Sequence, residues 1–155
     1  MKKLGLFLAT CGFVGHVPVA PGTAGSLVGV ALFYALRAFG GRFAEVTAIL
    51  VLFAAGVWAA GVAERHWQRR DPGPVVIDEV VGMLITVCWL PLTGLGVFVG
   101  FLVFRVFDVW KPWPAARFES LHGGLGVMAD DAMSGVYGQV LMRILVAAAP
   151  AGWLI

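Results

Sequence analysis

Residues 90–96 read LPLTGLG, in the middle of a run from Val80 to Phe104 that carries no formal charge. Taken as one helix, that run is long enough to cross a bilayer, whose hydrocarbon core needs about 20 apolar residues. It would then hold Asp78 and Glu79 on one side of a membrane and Asp108 on the other. Pro91, Gly94 and Gly96 oppose this reading, because proline removes a helical hydrogen bond and Pro/Gly clusters mark turns. The alternative is a hairpin of two short helices, over residues 76–90 and 95–110. At ~1.5 Å per residue each leg covers about 22 Å, so the hairpin is expected to dip into the core or tilt through it.

Charge placement decides between the two. Cytoplasmic loops of membrane proteins collect Lys and Arg. With the hairpin, Lys2, Lys3, Arg65, Arg69, Arg70, Arg105, Lys111 and Arg117 fall at one face, and Arg37, Arg42 and Arg143 fall toward the other. A single span would send Arg105, Lys111 and Arg117 outward and spoil the asymmetry. The sequence therefore predicts the hairpin.

Composition makes lipid the solvent of this fold. Of 155 residues, 60% are hydrophobic and only 13% are charged, with a mean hydropathy of +0.90. Soluble domains carry about 25% charged residues. The length suits one domain over residues 1–155. A net charge of +2 is too small and too scattered for a nucleic-acid partner. Cys11 and Cys88 lie in apolar surroundings without metal-like spacing. The start, MKKLGLFLATCG, imitates a secretory signal, but the apolar run Leu4–Thr10 is short and Thr10 is a poor residue before a lipidated cysteine. Lys2 and Lys3 are expected to hold the N-terminus in the cytoplasm. Three further apolar stretches, Gly25–Phe39, Phe43–Ala63 and Ala132–Ala149, complete the pattern, the first two parted by Gly40–Gly41. The expected fold is an all-α polytopic membrane bundle with about three spanning helices and a Pro/Gly-broken helical hairpin. Its active-site loops lie on the cytoplasmic face.

The hairpin has a chemical consequence. Asp78, Glu79, Asp108, Asp130 and Asp131, five of the nine acids, now lie at helix ends on one face. Ionisable groups at membrane depth are costly unless paired, hydrated or metal-bound, and clustered carboxylates repel. A divalent cation relieves that repulsion, and hard carboxylate oxygens suit Mg²⁺ or Mn²⁺. In FRVFDVWKPWP, residues 104–114, Arg105, Asp108 and Lys111 follow at i, i+3 and i+6, so one helical face can carry a metal ligand between two phosphate-binding cations. Pro112 discourages helix at Lys111 and leaves that side chain at a helix end. Simpler readings compete: Asp78 or Asp130 as helix-terminal charges, and Arg105–Asp108 as a structural ion pair.

Two loops extend the site. PGTAGS, residues 21–26, precedes the first helix, at whose start backbone N–H groups can bind an anion, with Thr23 and Ser26 as phosphate contacts or as caps. HGGLG, residues 122–126, places His122 where it can protonate a leaving group or bind phosphate, or serve as a plain loop histidine. Trp110, Trp113 and Phe118 read as interfacial anchors. Ser134, Gly135 and Gly138 let the last helix pack close to a neighbour.

APGTAGSL, VIDEVVGM, FRVFDVWKPWP and HGGLGVMADDAMSGV, in this order and spacing, resemble the signature blocks of the phosphatidylglycerophosphatase A family, from about Gly12 to about Gly138. The resemblance implies an all-helical, Mg²⁺-dependent lipid phosphatase of the bacterial cytoplasmic membrane, converting phosphatidylglycerophosphate and water into phosphatidylglycerol and phosphate. On that reading Mg²⁺ is held by some of Asp78, Glu79, Asp108, Asp130 and Asp131, and Arg105 and Lys111 neutralise phosphoryl oxygens. Asp78, Asp108, Asp131, Lys111 and His122 are the catalytic candidates. The nucleophile, water or an aspartate, stays open. A phosphatase for another lipid phosphate and a small cation or proton transporter are the alternatives. Transporter sites usually lie near the bilayer midplane between repeats, and no repeat is visible here.

Overall fold

The long apolar stretches form helices, parted by turns that carry proline or glycine. The computed structural model describes residues 1–118, 120–150 and 152–155, and their side chains apart from those of residues 41 and 42. Among these residues every regular element is helical: α1 (Lys2–Ala9), a 3₁₀ turn (Val14–His16), α2 (Pro21–Phe39), α3 (Gly41–Trp67), α4 (Ile77–Val87), α5 (Gly94–Trp110), α6 (Ala115–Phe118) and α7 (Gly124–Ala148). The Arg42 side chain, assigned above to the far side, lies outside the described residues.

Residues 80–104 do form a hairpin, with legs α4 and α5 and a link over residues 88–93. Thr93 starts the second leg as its N-cap, its hydroxyl accepting the Gly96 N–H at 3.2 Å. The Thr93 N–H in turn donates to the Leu154 carbonyl at 2.8 Å, so the C-terminal residues fold over the link. The first leg is shorter than the 76–90 expected. Its 11 residues cover about 16 Å at ~1.5 Å per residue, too little to span a bilayer. Helix α4 is instead the axis of the bundle. Ile77, Val80, Val81, Met83, Leu84 and Val87 are all buried, packed by α2, α3, α5 and α7 around it.

The tightest contact is between α4 and α7, and small residues make it possible. A Cβ on Gly82 would lie 2.8 Å from the Asp131 carbonyl, and one on Gly135 would lie 3.0 Å from the Ile85 Cβ. This closeness brings the first turn of α4 against the second turn of α7.

Among the described residues two helices, α2 and the Phe43–Trp67 part of α3, are long and apolar enough by length and composition to cross a membrane. Only 22% and 28% of their apolar windows are buried inside the structure, whereas a core helix of a soluble protein is mostly buried. Leu27, Tyr34, Leu50 and Val51 point outward, as lipid contact requires.

The end of the bundle away from the acids has its own polar knot. Glu45, 1% exposed, pairs with Arg37 and accepts the Trp89 N–H at 2.8 Å. Arg37 also donates to the Leu90 carbonyl at 2.8 Å, and Gln139 donates to the Cys88 carbonyl at 2.6 Å. These bonds fix the hairpin link to α2, α3 and α7.

Candidate active site

Asp78 and Glu79 occupy the first turn of α4, where the helix dipole favours carboxylates. That turn is anchored from outside, since the Val76 N–H donates to the Ala9 carbonyl at 2.9 Å. Helix α7 begins after Gly123, whose φ of 73° is natural only for glycine, and its second turn carries Asp130 and Asp131. Helix α5 arrives from the opposite direction with Arg105 and Asp108 in its last turns. It stops at Lys111, a C-cap with φ 45°, as the following proline demands.

Three of the five acids converge on one point. Asp78, Glu79 and Asp131 each offer a carboxylate oxygen, and these atoms lie within 4.8 Å of one another. Asp78 is 5% exposed and Asp131 2%. Asp78 Oδ1, Glu79 Oε2 and Asp131 Oδ2 are buried without a hydrogen-bond partner. Left so, the trio combines like-charge repulsion with unmet hydrogen-bonding demand, each worth kilocalories. A hard divalent cation satisfies both, so the donor set fits Mg²⁺.

The other two acids are engaged by cations. Asp108 pairs with Arg105, and Asp130 takes the Lys111 ammonium at 2.5 Å. Asp130 also accepts the Asp131 N–H at 3.0 Å, while the Ser134 hydroxyl donates to its carbonyl at 3.0 Å. Burial alone would lower the Lys111 pKa. The hydrogen bond and charge of Asp130 override it, so the net shift is upward and the side chain stays an ammonium.

The start of α2 abuts this centre. A Cβ on Gly22 would come within 3.1 Å of Arg105 Nη1 and 3.2 Å of the Glu79 carboxyl carbon, so only a glycine lets PGTAGS approach so near. Ser26 is buried and its hydroxyl donates to the Gly22 carbonyl at 2.9 Å. Thr23 is half-buried in the same first turn. His122 stands apart: it is exposed, and its Nε2 lies 3.3 Å from Arg70 Nη2.

A cavity of about 320 Å³ adjoins Asp130, lined also by Glu64, Arg70, Asp71 and Ser120. Glu64 and Asp71 carry no motif that marks them in the sequence. Asp71 sits in a DPG turn that reads as simple punctuation, with a φ of 42°. Its nearness to VIDEV was the available signal.

The sequence profile of the family described as phosphatidylglycerophosphatase A matches residues 7–146. A Bacteroides thetaiotaomicron protein provisionally named a phosphatidylinositol-3-phosphatase is 38% identical over 143 residues, covering 84% of this chain and 86% of its own length. The Escherichia coli phosphatidylglycerophosphatase A is 36% identical over 124 residues, 79% of this chain and 72% of that protein. The Haemophilus influenzae phosphatidylglycerophosphatase A is 32% identical over 149 residues, 92% and 91%. No solved structure matches significantly.

Proposed function

The chain belongs to the phosphatidylglycerophosphatase A family, and from that membership and the geometry of the acids we propose the following reaction and site. The protein is a membrane-associated phosphatase that hydrolyses phosphatidylglycerophosphate to phosphatidylglycerol and inorganic phosphate. It works as a multi-pass protein of the bacterial cytoplasmic membrane, with its site at the cytoplasmic face, where the substrate phosphate meets the acids while the tails stay in lipid.

The observation that carries this reading is the trio Asp78, Glu79 and Asp131 with its three unpartnered oxygens, flanked by Arg105 and Lys111. These three residues would hold Mg²⁺, which would supply positive charge to the phosphoryl oxygens and acidity to an attacking water. Arg105 and Lys111 neutralise the remaining phosphoryl charge, since phosphoryl transfer depends mainly on positioning and electrostatics. Asp108 and Asp130 hold those two cations in place, and are the acids left to receive the proton of the attacking water. Thr23 and the first turn of α2 lie beside Arg105 and can add contacts to phosphate. His122, exposed and hydrogen-bonded to Arg70, is given no step in this scheme.

The provisional name of the Bacteroides relative favours a second reading, in which the same site acts on a phosphorylated inositol lipid. Phosphate release measured side by side on phosphatidylglycerophosphate, phosphatidylinositol 3-phosphate and phosphatidic acid decides. The proposal requires the first to be hydrolysed best. Preference for either of the others would overturn the substrate assignment while leaving the site intact.

A further inference from the structure

Helices α2 and α5 run antiparallel and touch only sparsely, leaving an apolar groove of about 210 Å³ between them. Leu27, Val30 and Tyr34 form one wall, and Val97, Phe98 and Phe101 form the other. Leu27, Tyr34 and Phe98 are roughly half exposed, at 55%, 47% and 56%. In a water-soluble protein such an apolar strip would invite a protein partner. Here a particular continuity names the occupant.

Both walls lead to the acidic centre. Thr23 stands one helical turn before Leu27 on α2, and Arg105 stands one turn after Phe101 on α5. At this head the two helices close on each other through Gly22, whose absent Cβ leaves room for Glu79 and Arg105. An apolar trough thus ends at a guanidinium beside the candidate metal ligands. A ligand matching it has a long hydrocarbon part and an anionic head. A second apolar groove, between α5 and α7, lacks this continuity: Trp113 and Tyr137 are among its lining residues, and the Tyr137 hydroxyl bridges it by donating to the Trp113 carbonyl at 3.1 Å.

We infer that the α2–α5 groove is the acyl-chain subsite, through which one tail of the phospholipid substrate lies while its phosphate reaches Arg105 and the acids. This rests on the lipid-phosphatase reading above. The groove residues act by positioning the lipid and take no part in the chemistry.

The test compares dioleoyl phosphatidylglycerophosphate with its deacylated counterpart, glycerophosphoglycerophosphate, in detergent micelles. Leu27→Trp fills the groove from its exposed side. It should raise KM for the diacyl substrate about tenfold, with kcat and turnover of the deacylated compound within about twofold of wild type. Ile144→Trp, in the α5–α7 groove, should change neither. Equal losses on both substrates, or an effect from Ile144→Trp alone, would overturn the assignment. A diazirine-bearing phosphatidylglycerophosphate on the wild-type protein provides a readout independent of any variant. Adducts within residues 27–34 and 97–101, suppressed by excess unlabelled substrate but not by phosphatidylcholine, are expected. Adducts confined to other helices would contradict the subsite. Release of phosphate from neither compound by wild type would overturn the phosphatidylglycerophosphate assignment, and the labelling pattern would still decide the groove.

Discussion

Asp78 on α4 and Asp131 on α7 face each other across the closest helix pair of the bundle, each with one buried carboxylate oxygen that no donor reaches. Nothing in the packing of a membrane helix pair calls for two opposed carboxylates. A cation between them converts mutual repulsion into cohesion, which ties stability of the α4–α7 contact to metal. Adding Mg²⁺ at about 100 times its dissociation constant should stabilise the detergent-solubilised protein by about 2.7 kcal/mol. Thermal unfolding with Mg²⁺ and with EDTA checks this, and Asp131→Asn should abolish the difference. Without metal that same variant should be no less stable than wild type, because it removes a repelling charge.

The approach of α4 to α7 depends on Gly82 and Gly135. Gly135→Val would force side-chain atoms against the Gly82 carbonyl and Ile85. Overpacking of this kind costs about 1–3 kcal/mol. The larger expected effect is on activity, at least tenfold down, because sub-ångström separation of the helices spreads the ligand oxygens. Unfolding and phosphate-release measurements on one preparation would show whether activity falls further than stability.

Lys111 is held against Asp130 at 2.5 Å. Lys111→Met leaves a buried carboxylate without its cation, and breaking a buried pair costs about 3–5 kcal/mol. The cost here should fall below that range, because the ammonium is partly exposed. Activity should fall by about a hundredfold through loss of a phosphate-neutralising charge. Lys111→Arg keeps that charge with altered geometry and should recover part of the activity. Steady-state kinetics of both variants would separate the electrostatic role from a purely structural one, for which both variants would track stability alone.

Glu45 provides the contrasting case. It is as buried as any acid of the site, yet every contact described for it serves the hairpin link. Glu45→Ala removes the carboxylate partner of Arg37 and an acceptor of the Trp89 N–H, at a cost of about 3 kcal/mol. The folded fraction should turn over substrate with kcat and KM within about twofold of wild type and an unchanged Mg²⁺ requirement. A changed metal requirement would show that this end of the bundle communicates with the site.

What could be read from sequence follows from the range of the interactions involved. Pro91, Gly94 and Gly96 act on their own backbone, so the break between α4 and α5 was legible, as was the placing of Lys111 at a helix end by Pro112. The gathering of acids at one end followed from helix order alone. The division of labour among them did not: Arg105–Asp108 could be read as an i, i+3 pair, but which acids turn toward one another across helices depends on helix rotation. So does the enclosure of α4, whose apolar residues run all round it as they would in a lipid-exposed helix. Of the roughly three spans expected, two helices among the described residues have the length and apolarity to cross. The role of Glu45 is not legible in sequence, because one acid in an apolar run shows nothing of its partner on another helix. Glu64 and Asp71 are not legible in this way, because their cavity is assembled from α3, α6, α7 and the turns beside them, which are distant in sequence.

The measurement that tests the account most directly is phosphate release from phosphatidylglycerophosphate in detergent micelles. Wild type, Asp78→Asn and Asp131→Asn would each be assayed with Mg²⁺ and with EDTA. The account predicts Mg²⁺-dependent release by wild type and a loss of at least about a hundredfold in both variants with the fold retained. Release that survives EDTA and both substitutions would contradict it.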